Sequence, residues 1–170
     1  MAQSNWCGFD AYHQQQLASD EAYRINESNF IENVHQRVPH LTQRDGDKII
    51  VPTVVHVTYS DCSGNISEAQ IKDALRVLNE DYARKNPDTT DTRAVFAPFA
   101  DAGNIEFRLA EIDPLGNPTN GITRKQTSAA IDAQNNIKSI DYWNSSNYFN
   151  IWVVESIYNF TGGGGTILGY

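Results

Sequence analysis

A chain of 170 residues and 19.0 kDa is long enough to bury a real core as one domain, or as a small domain with an appendage. Hydrophobic residues at 40% and aromatics at 11% exclude wholesale disorder and coiled coil. Thirteen basic against twenty-one acidic side chains leave a net charge of −8, and no basic run is interleaved with aromatics, so nucleic acid and anionic membrane surfaces are excluded as partners. The longest apolar runs, such as Ile151 to Val154, fall far short of the ~20 residues that a spanning helix needs.

Residues 1–10 show neither the positive start nor the apolar stretch of a secretory signal, so the chain is expected either to be cytosolic or to lack its true beginning. From Asp10 to Val38 the composition favours helix, with Tyr23, Asn26, Glu27, Phe30, Ile31 and Val34 at helical spacing and Asp20 placed to cap a second helix. Pro39 to Asp47 breaks that periodicity with a proline and an Asp-Gly turn pair, as an exposed linker would. Lys48 to Tyr59 is dense in β-branched residues on both faces and predicts a strand covered on both sides, with Pro52 turned to an edge or a bulge. Ser67 to Gln70 is a capping box, Ile66 can staple onto Ile71, and Ile71, Leu75, Leu78 and Tyr82 continue one stripe of a helix stopped by Asn86-Pro87.

Further along, Ile105, Phe107 and Leu109 alternate as in a half-buried strand, Asp113 to Pro118 is built of turn formers, and Gly121 to Arg124 resumes extended structure. A short helix is expected within Ala129 to Ile140, and a central strand over Tyr148 to Val154. Together these predict a mixed α/β layout around one twisted sheet.

Motifs for chemistry are sparse. Gly162 to Gly165 lacks the lysine and the helix of a phosphate loop and reads as a flexible loop. Of the histidines, His13 and His35 read as solvated helix residues and His56 as a packed core side chain, and no metal site assembles from these with His40. No serine sits in a nucleophile elbow, and no pair of carboxylates is set apart by its surroundings. Asn-x-Ser/Thr triplets begin at Asn26, Asn65, Asn144 and Asn159, and carry meaning only in a glycosylating pathway. Cys7 and Cys62 are the only thiols.

The succession IIVPTVVHVTY, NISEAQIKDALRVLNEDYARKNPD, IEFRLAEIDPLGNPTNGITR, IKSIDYW, NYFNIWVV and ILGY, from about Ile49 to Tyr170, resembles the pappalysin and cytophagalysin family of secreted metzincin zinc metallopeptidases. Cys7-Gly8 with Tyr12-His13 downstream is similar to the latency segment of that family's proenzymes. The resemblance implies an α/β (α+β) fold: a metzincin-like twisted mixed sheet with a long backing helix from Ser67 to Lys85, preceded by a helical propeptide-like segment. Residues 1–38 would be that segment, 39–47 a linker open to activating cleavage, and 48–170 the N-terminal part of the catalytic domain.

The family's zinc lies between the histidines of a His-Glu-x-x-His-x-x-Gly-x-x-His helix, and a Met-turn follows it. Neither is in this sequence, and Met1 is the only methionine. The resemblance therefore implies part of a secreted zinc-dependent metalloendopeptidase acting on protein or peptide substrates, inactive as it stands. It places the start of the substrate-binding edge strand at Leu168, Gly169 and Tyr170, and makes Cys7 a zinc ligand of the latent form, since zinc binds thiolate strongly. A small buried thiol or a Cys7–Cys62 disulfide are the other readings of Cys7. The alternative for the whole chain is a non-catalytic secreted module that takes a peptide or protein partner on an exposed sheet edge, and a cytosolic α/β protein with no peptidase link is a third.

Overall fold

A computed structural model describes residues 9–37 and 48–158. The helices at the start belong to one compact unit and the sheet to another.

Helix α1 spans Phe9–Ser19 and α2 spans Glu21–Arg37. They are separated at Asp20, whose carboxylate accepts from the amide of Tyr23 at 3.0 Å and so caps α2 as its position predicts. Every described side chain of the pair is exposed or half-buried. Phe30, Ile31 and Val34, expected on an apolar face, are among the exposed ones. His13, expected to be solvated, is instead half-buried between the helices. Its Nδ1 lies 3.0 Å from the Tyr23 hydroxyl, its Nε2 3.1 Å from Glu27, and its ring stacks on Phe9.

The sheet unit is organised by one strand. β1 runs Ile49–Tyr59, and all three other described strands, β2 (Ile105–Leu109), β3 (Ile122–Gln126) and β4 (Phe149–Val153), pair with it in parallel. The amide of Ile49 donates to Asn104 and the carbonyl of Thr53 accepts from Ala110, while the amide of Val55 donates to Gly121 and the carbonyl of Tyr59 accepts from Thr127. Those are all odd-numbered positions of β1. Because backbone groups alternate sides along a strand, β2 and β3 share one edge of β1 end to end, and β4 takes the other. Pro52, an even position, turns its nitrogen toward the β4 side before that pairing begins at Thr53 opposite Phe149. Its missing N–H therefore leaves no gap in the ladder.

Both faces of β1 are covered, which is why Thr53 to Thr58 are buried without interruption. One face meets α3 (Glu68–Tyr82), where Ile71 packs with Val55 and Val57, and Ile66, Leu109, Ile122 and Ile151 close around them. The other face meets the segment before β4, where Val54, Ala110 and Trp143 cluster with Tyr148. That segment holds two 3₁₀ turns, Ser128–Ala130 and Asn135–Ser139, in place of the expected short α-helix. Among the described residues β4, expected as a central strand, pairs with β1 alone, and Phe149 at its start is 45% exposed.

Helix α3 begins as its sequence dictates: the Ser67 side chain accepts from the Gln70 amide while the Gln70 side chain accepts from the Ser67 amide. It ends three residues before the expected Lys85. Arg84 adopts φ 50°, its amide donates to Asp81, and the Lys85 amide reaches back to Glu80, which closes the last turn in a Schellman arrangement. No glycine marks that stop.

Between β2 and β3 the chain leaves the β1 edge and returns. Asp113 builds the turn by accepting from the amides of Leu115 and Asn117, both at 2.8 Å, and Gly121 brings the chain back against Ala110. Gly121 has φ +70°, and a Cβ there would lie 2.7 Å from the Ala110 nitrogen and 3.0 Å from its oxygen. Gly116, at φ +87°, faces open space. The two glycines therefore separate conformational cost from collision. Gly116→Ala is expected to lower stability by about 1 kcal/mol, from the left-handed backbone alone. Gly121→Ala is expected to lower it by about 3 kcal/mol or more, because backbone cannot give way as a side chain can. Urea unfolding followed by tryptophan fluorescence compares them, and equal losses would contradict the end-to-end arrangement of β2 and β3.

Candidate functional site

Between β1 and β4 a hydrogen-bond network gathers around one buried histidine. His56, in the middle of β1, is 1% exposed. Its Nδ1 is 2.8 Å from Thr123 Oγ1 on β3 and its Nε2 2.8 Å from Asn150 Oδ1 on β4, so one side chain ties three strands together. The ring stacks on Trp152 at 4.8 Å and meets Trp143 edge-on at 6.4 Å.

Asn150 fixes the histidine tautomer. Its Nδ2 donates to the carbonyls of Trp143 at 2.8 Å and Tyr148 at 3.2 Å, leaving Oδ1 to accept from the Trp143 amide at 3.1 Å and from His56. All four hydrogen-bonding positions of the amide are then in use. His56 must donate from Nε2, so in the neutral ring Nδ1 accepts from the Thr123 hydroxyl. Burial pushes the His56 pKa down, outweighing the hydrogen bond to Asn150 and the charge of Asp141, which push it up. Both ring nitrogens are occupied, and the imidazole serves as a structural joint with no lone pair left for a metal or a substrate proton. The expected core role of His56 holds.

At the far end of the same strands Glu155 follows β4 and clamps the loop after β1. Its carboxylate accepts from the Ser60 amide and hydroxyl, each at 2.7 Å, and from the Asp61 amide at 3.3 Å. The Ser60 side-chain and backbone donors hold its pKa below the usual carboxylate range. The clamped loop carries Cys62, an exposed free thiol.

The expected ligand Cys7 and the expected substrate strand Leu168, Gly169 and Tyr170 lie outside the described residues, as do His40, the linker 39–47 and the four-glycine run. Among the described residues no three His, Cys, Asp or Glu side chains converge on a point where a metal ion could sit. The residues described here thus do not build a zinc site: His56 is saturated, His13 is engaged with Tyr23 and Glu27, and His35 is an exposed residue of α2. Among the same residues, no helix is long and apolar enough to cross a membrane.

No protein-family model and no curated protein matches the chain. Solved structures do. A promirolysin point mutant from Tannerella forsythia matches over 82% of this chain and 47% of its own, at 37% identity and a TM-score of 0.65. The chain is similar to mirolysin. Mature mirolysin of the same organism, in complex with a cleaved peptide, matches over 63% of this chain and 42% of its own, at 45% identity and a TM-score of 0.58. Mirolysin in complex with a small compound matches to the same extent, with a TM-score of 0.57. The chain spans less than half the length of these neighbours. They are metzincin-type metallopeptidases, and the α/β fold with its parallel strands and backing helix is theirs.

Sequence reasoning placed His56 in the core but found none of its partners. The available signal was Asn150 itself, a lone amide within the apolar run Phe149 to Val154. Because the His56 pKa is lowered in the folded chain, the unfolded chain binds the extra proton and stability falls as pH drops below about 6.5, the ordinary histidine value, toward the folded value. Urea midpoints measured between pH 8 and pH 5 are expected to show that loss. His56→Ala should abolish this part of the slope while costing about 2–4 kcal/mol at pH 8, from the cavity and from the unpartnered Asn150 and Thr123. An unchanged slope in the variant would show that other groups govern the acid response.

Proposed function

We propose that this chain is the pro-segment and the first part of the catalytic domain of a secreted zinc-dependent metalloendopeptidase, within the pappalysin and cytophagalysin group of metzincins. Residues 1–38 are the pro-segment, 39–47 the linker cut on activation, and 48–170 the front of the catalytic domain.

One observation carries the reading. The proenzyme matches 82% of the chain, about 139 residues, although only 122 residues run from the start of β1 at Ile49 to Tyr170. Some of that match must fall before the sheet. Mature mirolysin matches 63%, about 107 residues, which the stretch from Ile49 onward can hold alone. This difference supports a pro-segment ahead of a catalytic sheet. The cleaved peptide in complex with mature mirolysin supports protein or peptide as the substrate class.

The His-Glu-x-x-His-x-x-Gly-x-x-His motif is not in this sequence, and in this reading the zinc and the hydrolytic step belong to the complete protein. In it, Cys7 would be the thiolate that keeps the metal covered, and Leu168, Gly169 and Tyr170 would begin the strand along which substrate lies. These 170 residues alone hydrolyse no peptide bond.

The test expresses this chain and the complete reading frame that contains it, each supplied with zinc. The complete protein is expected to retain one zinc by elemental analysis and to degrade casein once processed, with its new N-terminus between Arg37 and Lys48 by mass spectrometry. Cys7→Ala should release activity before processing, while the 170-residue chain yields no cleavage. A zinc-free, inert complete protein would refute the peptidase reading, and casein cleavage by the short chain would refute its division into parts.

A further inference from the structure

β2 is an edge strand: among the described residues its only strand partner is β1. The Asn104 carbonyl and the Ala110 amide turn toward β1. By alternation, Ile105, Phe107 and Leu109 present their N–H and C=O groups outward. Such a row is a template for another strand unless something covers it. Here one side chain covers its centre. Asn79 of α3 accepts from the Phe107 amide at 2.8 Å and donates to the Phe107 carbonyl at 2.9 Å, which are the two bonds an added strand would make with that residue.

The edge beneath is suited to a second copy of this chain. In a two-fold antiparallel pairing centred on Phe107, the residue exchanges both backbone bonds with its equivalent, and its neighbours pair crosswise. Glu106 then stands opposite the partner's Arg108, Arg108 opposite the partner's Glu106, and Ile105 opposite the partner's Leu109. Opposite charges and apolar pairs thus fall into register from a five-residue strand, IEFRL. A groove of about 440 Å³, lined in part by Leu75, Arg76, Asn79, Phe107 and Leu109, runs between α3 and β2 and leaves room beside the strand. At present Glu106 is engaged within the chain, by Lys48 at 2.7 Å and by Arg108 at 2.7 Å.

We infer that Asn79 is an edge guard: it occupies the backbone of Phe107 and so shuts a homotypic strand-pairing surface on β2, whose occupant when unguarded is a second copy of this chain in antiparallel register. A helix side chain that only anchored α3 to the sheet would need no such match to the strand's donor and acceptor. The inference does not depend on the peptidase reading.

Sedimentation velocity over a range of concentrations tests it, with circular dichroism melts run on every variant. Asn79→Ala is expected to dimerise at least about tenfold more tightly than the unsubstituted chain, a difference of about 1.4 kcal/mol. Adding Arg108→Glu, which sets two acids opposite each other, should abolish the gain, and adding Glu106→Arg to that pair of substitutions should restore it. A folded Asn79→Ala protein that sediments like the parent overturns the inference, as does a dimer indifferent to Arg108→Glu. Should Asn79→Ala fail to melt cooperatively, Asn79→Asp serves in its place: it keeps the acceptor for the Phe107 amide and loses only the donor. An intermediate gain in association supports the guard, and parental behaviour overturns it.

Discussion

The sheet depends on the complete use of β1. Three five-residue strands take their backbone partners from this one eleven-residue strand, two of them in succession along one edge and the third along the other. None of the three pairs with another among the described residues, so each owes its place to a different stretch of Ile49–Tyr59. A strand in that position must be buried on both faces, and burial forbids loose polar groups. Thr53, His56 and Thr58 satisfy the rule individually: Thr53 bonds to the Val51 carbonyl, Thr58 to the Val153 carbonyl, and His56 to strands on both sides. His56 and Thr58 thereby become ties to neighbouring strands, while Thr53 closes its bond within β1.

What was legible in the sequence was what neighbouring residues decide among themselves. The capping box at Ser67 and Gln70, the Asp20 cap, the turn around Asp113 and the doubly covered strand at Lys48 to Tyr59 all rest on contacts a few residues long or on composition within one segment. The end of α3 was missed because a Schellman stop usually announces itself by glycine and here falls on Arg84. The apolar density of Tyr148 to Val154 reports burial and not the number of strands alongside, which among the described residues is one. Nor does the string from Ile105 to Gln126 reveal that β2 and β3 share an edge. That follows from Gly121 folding back on Ala110, a contact between positions that only the intervening turn brings together.

The functional reading drew on a different kind of legibility. Composition and motif spacing named no reaction, and the described side chains still name none, since no metal cluster forms and the most buried histidine is fully hydrogen-bonded. The likeness to mirolysin is one of sequence and fold along the matched stretch. That likeness carries the fold, and the residues expected to touch metal or substrate, Cys7 and Leu168 to Tyr170, lie outside the described residues. The helical pair is informative in a complementary way. None of its described side chains is buried, and His13 fastens the two helices to each other through Tyr23 and Glu27.

Two asparagines, neither conspicuous in the sequence, do the same work on opposite sides of β1. Asn150 accepts from the amide and donates to the carbonyl of Trp143, and Asn79 does so for Phe107. A side-chain amide has the donor and acceptor of a peptide group, so it can stand in for one strand residue where no strand is present. Inside the protein that substitution satisfies buried backbone and orients His56. At the rim of the sheet the same substitution denies the backbone to any other chain. The signal in both cases is an asparagine where the pattern calls for an apolar residue: Asn150 within a strand-forming run, Asn79 between Leu75 and Tyr82 on the inner stripe of α3. An amide kept at such a position incurs a desolvation cost that only a matched pair of backbone groups offsets, so its presence points to backbone that would otherwise be unpaired.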